Sequence, residues 1–127
     1  MYIDTHCHLD DSRFTDLDVV VKDYIDSNVT TAIQMGCDLA SSCKGQLFSK
    51  KYSSVYFAVG FHPSEIEEVK LTDYDKLIPL TQDEKCVPIG EIGLDYHFEP
   101  FDKEKQKLSF IRQIEIANKC SLPVCVH

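Results

Sequence analysis

The chain has 127 residues, 43% of them hydrophobic and 27% charged, enough for one compact domain spanning 1–127 and too few for two. Five Gly and five Pro exclude a collagen-like repeat or a low-complexity linker. Twenty-one acidic against thirteen basic residues give a net charge of −8, which argues against a basic nucleic-acid groove but leaves a phosphate substrate open if bound cations supply the positive charge.

In chain order, apolar runs rich in β-branched and aromatic residues alternate with helical patterns. Tyr2–His6 reads as a first strand. Leu17, Val20, Val21, Tyr24 and Ile25 fall at helical spacing, with Asn28 as a stop. Thr31–Gly36 is the next strand. Asp38 is an N-cap for a helix facing the core with Leu39, Cys43, Leu47 and Phe48. Val55–His62 forms a third strand, followed by a weaker helical pattern around Tyr74, Leu77 and Ile78 that Pro79 ends or kinks. Val87–Ile92 is the fourth strand. Lys103 to Lys119 then predicts a helix with Leu108, Ile111, Ile114 and Ala117 on its buried face, and Pro123–His127 is a fifth strand.

Strand ends at His6, Gly36, His62, Glu91 and His127 stand 26 to 36 residues apart, the size of a strand–helix unit with a right-handed crossover to a parallel strand. Two α/β architectures fit: a five-stranded open sheet of flavodoxin type, or the first five strands and four helices of a (β/α)8 TIM barrel. Strands one, three, four and five all end in His or Glu. Converging those ends on one centre requires a closing ring, so the barrel is the reading. Such a barrel would continue past His127, and an open sheet edge could also support self-association into a homo-oligomer.

No apolar run approaches the ~20 residues needed to span a bilayer, and Met1–His6 shows no signal-peptide character, so a cytoplasmic protein with no membrane partner is expected. The six cysteines contain no C-x-x-C pair. They read as reduced, mostly buried small hydrophobes.

Chemistry concentrates at the strand ends. Side chains alternate along a strand, so His6 and His8 share a face and make a pair of candidate metal ligands. Asp4, of the same parity, is a candidate partner for an imidazole N–H, whereas Cys7 points away. Glu91 lies in the apolar stretch Ile89-Gly90-Glu91-Ile92-Gly93, where an unpaired carboxylate is costly to bury. A bridge between two metal ions would resolve that cost; a salt bridge or an exposed strand end would also. His127 repeats the pattern on the next strand, or is an ordinary terminal histidine. His62, aimed by Pro63, reads as a substrate-phosphate contact, an outer ligand or a packed structural histidine. Asp95 is expected to order its loop through an Asx turn, and His97 to lie on the surface.

Together, Ile3-Asp4-Thr5-His6-Cys7-His8-Leu9, Ala58-Val59-Gly60-Phe61-His62-Pro63, Ile89-Gly90-Glu91-Ile92-Gly93-Leu94-Asp95-Tyr96, and the helix Gln106–Ala117 leading into Leu122–His127 resemble the TatD family of metal-dependent deoxyribonucleases, amidohydrolase-like TIM-barrel hydrolases. The resemblance covers nearly the whole chain. It implies that His6 and His8 hold one divalent ion, that Glu91 bridges two, that His127 holds the second, and that His62 faces the substrate phosphate. Zn²⁺, Mn²⁺ or Mg²⁺ would suit such ligands, and DNA would be hydrolysed at its phosphodiester bonds, often from the 3′ end. The family pattern continues with a histidine on strand six and an aspartate general base on strand eight. Both lie past His127, so the chain reads as the N-terminal five-eighths of the barrel, weak or inactive alone. Two other readings remain at this stage: a non-catalytic self-associating module, and a hydrolase of non-nucleic-acid esters or amides.

Overall fold

A computed structural model describes all residues, Met1–His127. Five strands, β1 (Tyr2–Cys7), β2 (Val29–Gln34), β3 (Val55–Val59), β4 (Cys86–Ile92) and β5 (Val124–Val126), alternate with helices α1 (Leu17–Asp26), α2 (Leu39–Lys51), α3 (Leu71–Tyr74) and α4 (Lys103–Cys120). All neighbouring strands are parallel and the order is β1-β2-β3-β4-β5. An open doubly wound sheet would reverse its strand order at a switch point; this one never does. The sheet also curls. In a flat sheet β1 and β4, three strands apart, would stand about 14 Å from each other, yet His6 of β1 reaches Glu91 of β4 at 3.1 Å. The fold is therefore a half-barrel of five parallel strands and four α-helices, as the strand ends implied.

Local chemistry explains the helix boundaries. The Asp16 carboxylate accepts from the N–H groups of Asp18 and Val19 at the start of α1, and Asn28 just past its end takes the left-handed conformation at φ 67°. Asp38 and Ser41 close a capping box on α2. Pro79 does not kink an α-helix. It sits in a 3₁₀ segment, Asp75–Gln82, which follows the single turn of α3. No helix is long and apolar enough to cross a membrane.

The main core lies between β3–β4 and the helical layer, and includes Phe57, Val59, Phe61, Leu77, Ile89, Ile92, Ile116 and Ala117. Two helices turn a different face inward from the one their apolar residues suggest. On α2 the buried residues are Ser41, Ser42, Gly45 and Ser49, while Cys43 and Leu47 are exposed. The reason is proximity: a Cβ on Gly45 would stand 2.9 Å from that of Phe57, so only small residues let α2 approach β3. On α4 the buried set is Gln106, Ser109, Gln113, Ile116 and Ala117, and Leu108 and Ile111 face outward. Here the two inward glutamines bind main-chain groups of the strand-end loops. The cysteines are all free, but only Cys86 is buried, so the expectation of mostly buried thiols is corrected. Cys7, Cys37, Cys120 and Cys125 are half-buried, and Cys43 is exposed.

Candidate metal centre

Glu91 is the centre of the constellation. It is 7% exposed and lies where the β4–β5 register shifts between Ile89 and Ile92; such irregularities re-aim side chains at barrel rims. Its main chain is tied across the sheet interior, the Glu91 N–H donating to Gly36 O at 2.7 Å and the Gly36 N–H to Gly90 O at 3.2 Å. On the β5 side there is also a steric requirement, since a Cβ on Gly90 would meet the Cβ of Cys125 at 2.7 Å.

Four imidazoles surround this carboxylate. Oε2 lies 3.1 Å from His6 Nε2 and 3.5 Å from His8 Nε2. Oε1 lies 2.7 Å from His127 Nδ1 and 3.9 Å from His62 Nε2, and these two rings are 3.1 Å apart at His62 Nε2 and His127 Nδ1. All five residues sit at or just past strand ends: His8, His62 and His127 each lie outside the hydrogen-bonded strand that precedes them.

The donor sets are His6, His8 and Glu91 on one side and His62, Glu91 and His127 on the other, each within 4.8 Å. Ligand atoms about 2.0–2.2 Å from a shared tetrahedral ion stand roughly 3.3–3.6 Å apart, so the spacing on the first side fits a divalent cation. Imidazole nitrogen and carboxylate oxygen are suitable donors for Zn²⁺ or Mn²⁺.

Electrostatics follow from this packing. Burial alone would raise the Glu91 carboxyl, but the hydrogen bond with His127 and the charges of His6, His62 and His127 outweigh it and hold it below the ordinary value. His62 is depressed, first by burial and then by His127. The Ser64 N–H donates to His62 Nδ1 at 3.1 Å. His62 Nδ1 is therefore an acceptor, and Nε2 is the ring atom that faces His127 and Glu91.

Two of the surrounding residues, Asp4 and Asp95, have a different place from the one read in the sequence, or an additional one. Asp4 does not support an imidazole; its Oδ1 accepts the main-chain N–H of His6 at 3.0 Å, because a short aspartate two residues back closes on the nearest backbone donor. Asp95 forms the Asx turn, accepting from the His97 N–H at 2.9 Å, and His97 is exposed. Its second oxygen also lies 3.3 Å from His127 Nε2, orienting that ring as a carboxylate behind a ligating histidine does. Cys7 points away as expected, its Sγ 3.3 Å from Ile33 O.

Buried glutamines then hold the loops. Gln34 bonds Leu9 N–H, Asp10 Oδ1 and Met35 O, fixing the turn after His8. Gln106 bonds both main-chain groups of Asp95 at 2.7 Å, and Gln113 does the same for Phe61. Nothing in composition or periodicity marks these residues, since buried glutamine interrupts an apolar face.

Residues 3–127 match the family described as TatD related DNase. The chain belongs to that family. It is 33% identical over its whole length to the uncharacterized metal-dependent hydrolase YabD of Bacillus subtilis, covering 50% of that protein. It is 30% identical to the 3′-5′ ssDNA/RNA exonuclease TatD of Escherichia coli over 98% of this chain and 48% of that one. The solved structure of the Escherichia coli TatD homolog YJJV superposes with a TM-score of 0.92 at 27% identity, over 99% of this chain and 50% of that one. The chain thus spans about half the length of the curated relatives it matches, and the half-barrel is a TatD half-barrel.

Proposed function

We propose that this chain carries the metal-binding half of a phosphodiester hydrolase acting on DNA, with release of nucleotides from the 3′ end. The observation that carries the reading is the convergence of His6, His8, His62 and His127 on the single carboxylate of Glu91. His6, His8 and Glu91 would hold one divalent ion, and Glu91 and His127 a second, in a protein whose relatives include a named ssDNA/RNA exonuclease.

Bound there, divalent ions neutralise a phosphate, acidify a coordinated water and stabilise the leaving oxygen. The protein's own part is positional. Glu91 presents one oxygen to each side, and burial keeps competing water from it. Asp95 fixes the His127 ring. His62, its ring held at Nδ1 by Ser64, would face an anionic phosphate oxygen through Nε2. The side chains thus supply what a net charge of −8 cannot, a local site for an anion.

Calorimetric titration with Zn²⁺ or Mn²⁺ tests the site, with expected binding that Glu91→Gln abolishes on both sides. End-labelled single-stranded DNA, a small phosphodiester and an amide are then assayed with Mn²⁺. Even slow metal-dependent loss of 3′ nucleotides, absent in Glu91→Gln, supports the reading. Absence of metal binding, or hydrolysis of the amide alone, overturns it.

A further inference from the structure

A cavity of about 520 Å³ opens between the 3₁₀ turn Pro63–Glu65 and the loop joining β4 to α4, a size typical of sites for small molecules, roughly 300–1,000 Å³. It adjoins the metal-facing cluster at two walls. Ser64 Oγ lies 2.7 Å from His62 Nδ1, and Asp95 Oδ2 lies 3.3 Å from His127 Nε2. A ligand whose anionic end met the cluster would therefore have its neighbouring group beside this cavity.

The aromatic residues of the loop divide into two kinds. Tyr96 and Phe101 stack on each other, centroids 5.4 Å apart at 30°, and Lys103 Nζ caps both rings at 4.9 and 5.8 Å. They brace the loop. Phe98 and Phe101 both line the cavity, but Phe98 stands outside the stack: it is 73% exposed and meets the ring of His97 in an edge contact, centroids 4.5 Å apart. Its remaining surface is open to a ligand.

Charge decides what that ligand is. Glu67, Glu99 and Asp102 join Asp95 in the lining, and Lys105 is engaged by the Glu67 carbonyl. A phosphate is repelled from such a wall and retained at the histidine cluster, where cations offset its charge. An uncharged flat ring suffers no such repulsion and stacks on an exposed aromatic side chain.

We propose that this cavity is a nucleobase subsite, in which the base attached to the phosphate at the cluster stacks on Phe98. The inference rests on the nuclease reading above and adds to it the residue that grips the base. It also makes the site favour single strands, whose bases are free to splay out.

The chain contains no tryptophan, so Phe98→Trp places a single fluorescent reporter at the subsite. This variant is titrated in Zn²⁺ with an oligothymidylate and with an abasic oligonucleotide of equal phosphate number. Expected is saturable quenching by the first and none by the second, with no response from Leu47→Trp on the exposed side of α2. Phe98→Ala should weaken oligothymidylate binding by about 5- to 150-fold, and Phe98→Tyr should restore it. Equal quenching by both oligonucleotides, binding seen by anisotropy without a change in the reporter's emission, or no binding at all overturns the subsite. Hydrolysis with a silent reporter discards the subsite and leaves the nuclease reading standing. Base-dependent quenching by a chain that binds neither Zn²⁺ nor Mn²⁺ does the reverse.

Discussion

Gln113, in the middle of α4, holds Phe61 by both of its main-chain polar groups: Oε1 accepts from the Phe61 N–H at 2.7 Å and Nε2 donates to its carbonyl at 3.0 Å. The amide thereby acts as one residue of an extra strand, continuing the hydrogen bonding of β3 past its end at Val59. His62 is the next residue along. Its aim at the cluster thus depends on a helix side chain 52 residues beyond Phe61 in sequence.

Gln113→Leu fills the same space and removes both bonds. A buried donor and acceptor left unmet cost about 1–3 kcal/mol each, so a loss of about 2–6 kcal/mol is expected, read as a lower urea midpoint at unchanged slope. An unchanged midpoint would mean that Phe61 finds water or another partner.

Asp95→Asn keeps the Asx turn, since the amide oxygen still accepts, but removes the charge behind His127. Partners of this kind are worth roughly 10–100-fold in metal affinity. Calorimetry with Zn²⁺ should show that loss at the His127 side only, with the His6–His8 side retained. Loss of both ions would indicate a collapse of the loop instead.

Protonation should destabilise the metal-free chain in two stages. His62 is depressed from 6.5 in the fold, so its contribution is present above that value and is lost as pH falls through its folded one. The carboxylates act lower. Glu91 and Asp11 are depressed from 4.5 and 3.8, Asp11 to about 2 through its hydrogen bonds with Arg13. Stability from these groups is complete above those ordinary values and drains away toward pH 2. Thermal scans in chelator should therefore show a Tm that begins to fall below about pH 6.5 and falls further below 4.5. A Tm that rises on acidification contradicts the assignment.

Thiol reactivity should separate the cysteines by burial. Cys86 is buried and pushed up to about 12 by burial first and by Asp83 second, which keeps it a thiol at pH 8. Cys43 is exposed on α2. Iodoacetamide at pH 8 should label Cys43 in the native chain and reach Cys86 only after unfolding, as peptide mapping would show.

The barrel and the identity of its central residues were legible because they follow from one-dimensional signals. Apolar runs about thirty residues apart dictate parallel strands, and a lone glutamate between isoleucines and glycines is expensive unless something binds it. Helix facing was legible only in part: Val21 of α1 and Ala117 of α4 are buried and Ile114 packs against the core, as read. Leu108 and Ile111 are apolar yet exposed, because the inner face of α4 is given to Gln106 and Gln113, whose partners are main-chain atoms of distant loops. On α2 the rule inverts for a steric reason, small residues being buried where two backbones approach. The second role of Asp95 was hidden likewise, as its contact with His127 depends on a separation across space that spacing along the chain does not encode.

The strand order has a consequence for synthesis on the ribosome. Each strand pairs with the one made just before it, so the sheet can accrete from its first edge as the chain emerges, each addition closing a loop of modest length. The cluster around Glu91 cannot grow that way. His6 waits 85 residues for Glu91, and His127 comes later still. Nascent chains would accordingly gain secondary structure early, while the meeting of the four imidazoles on one carboxylate comes late.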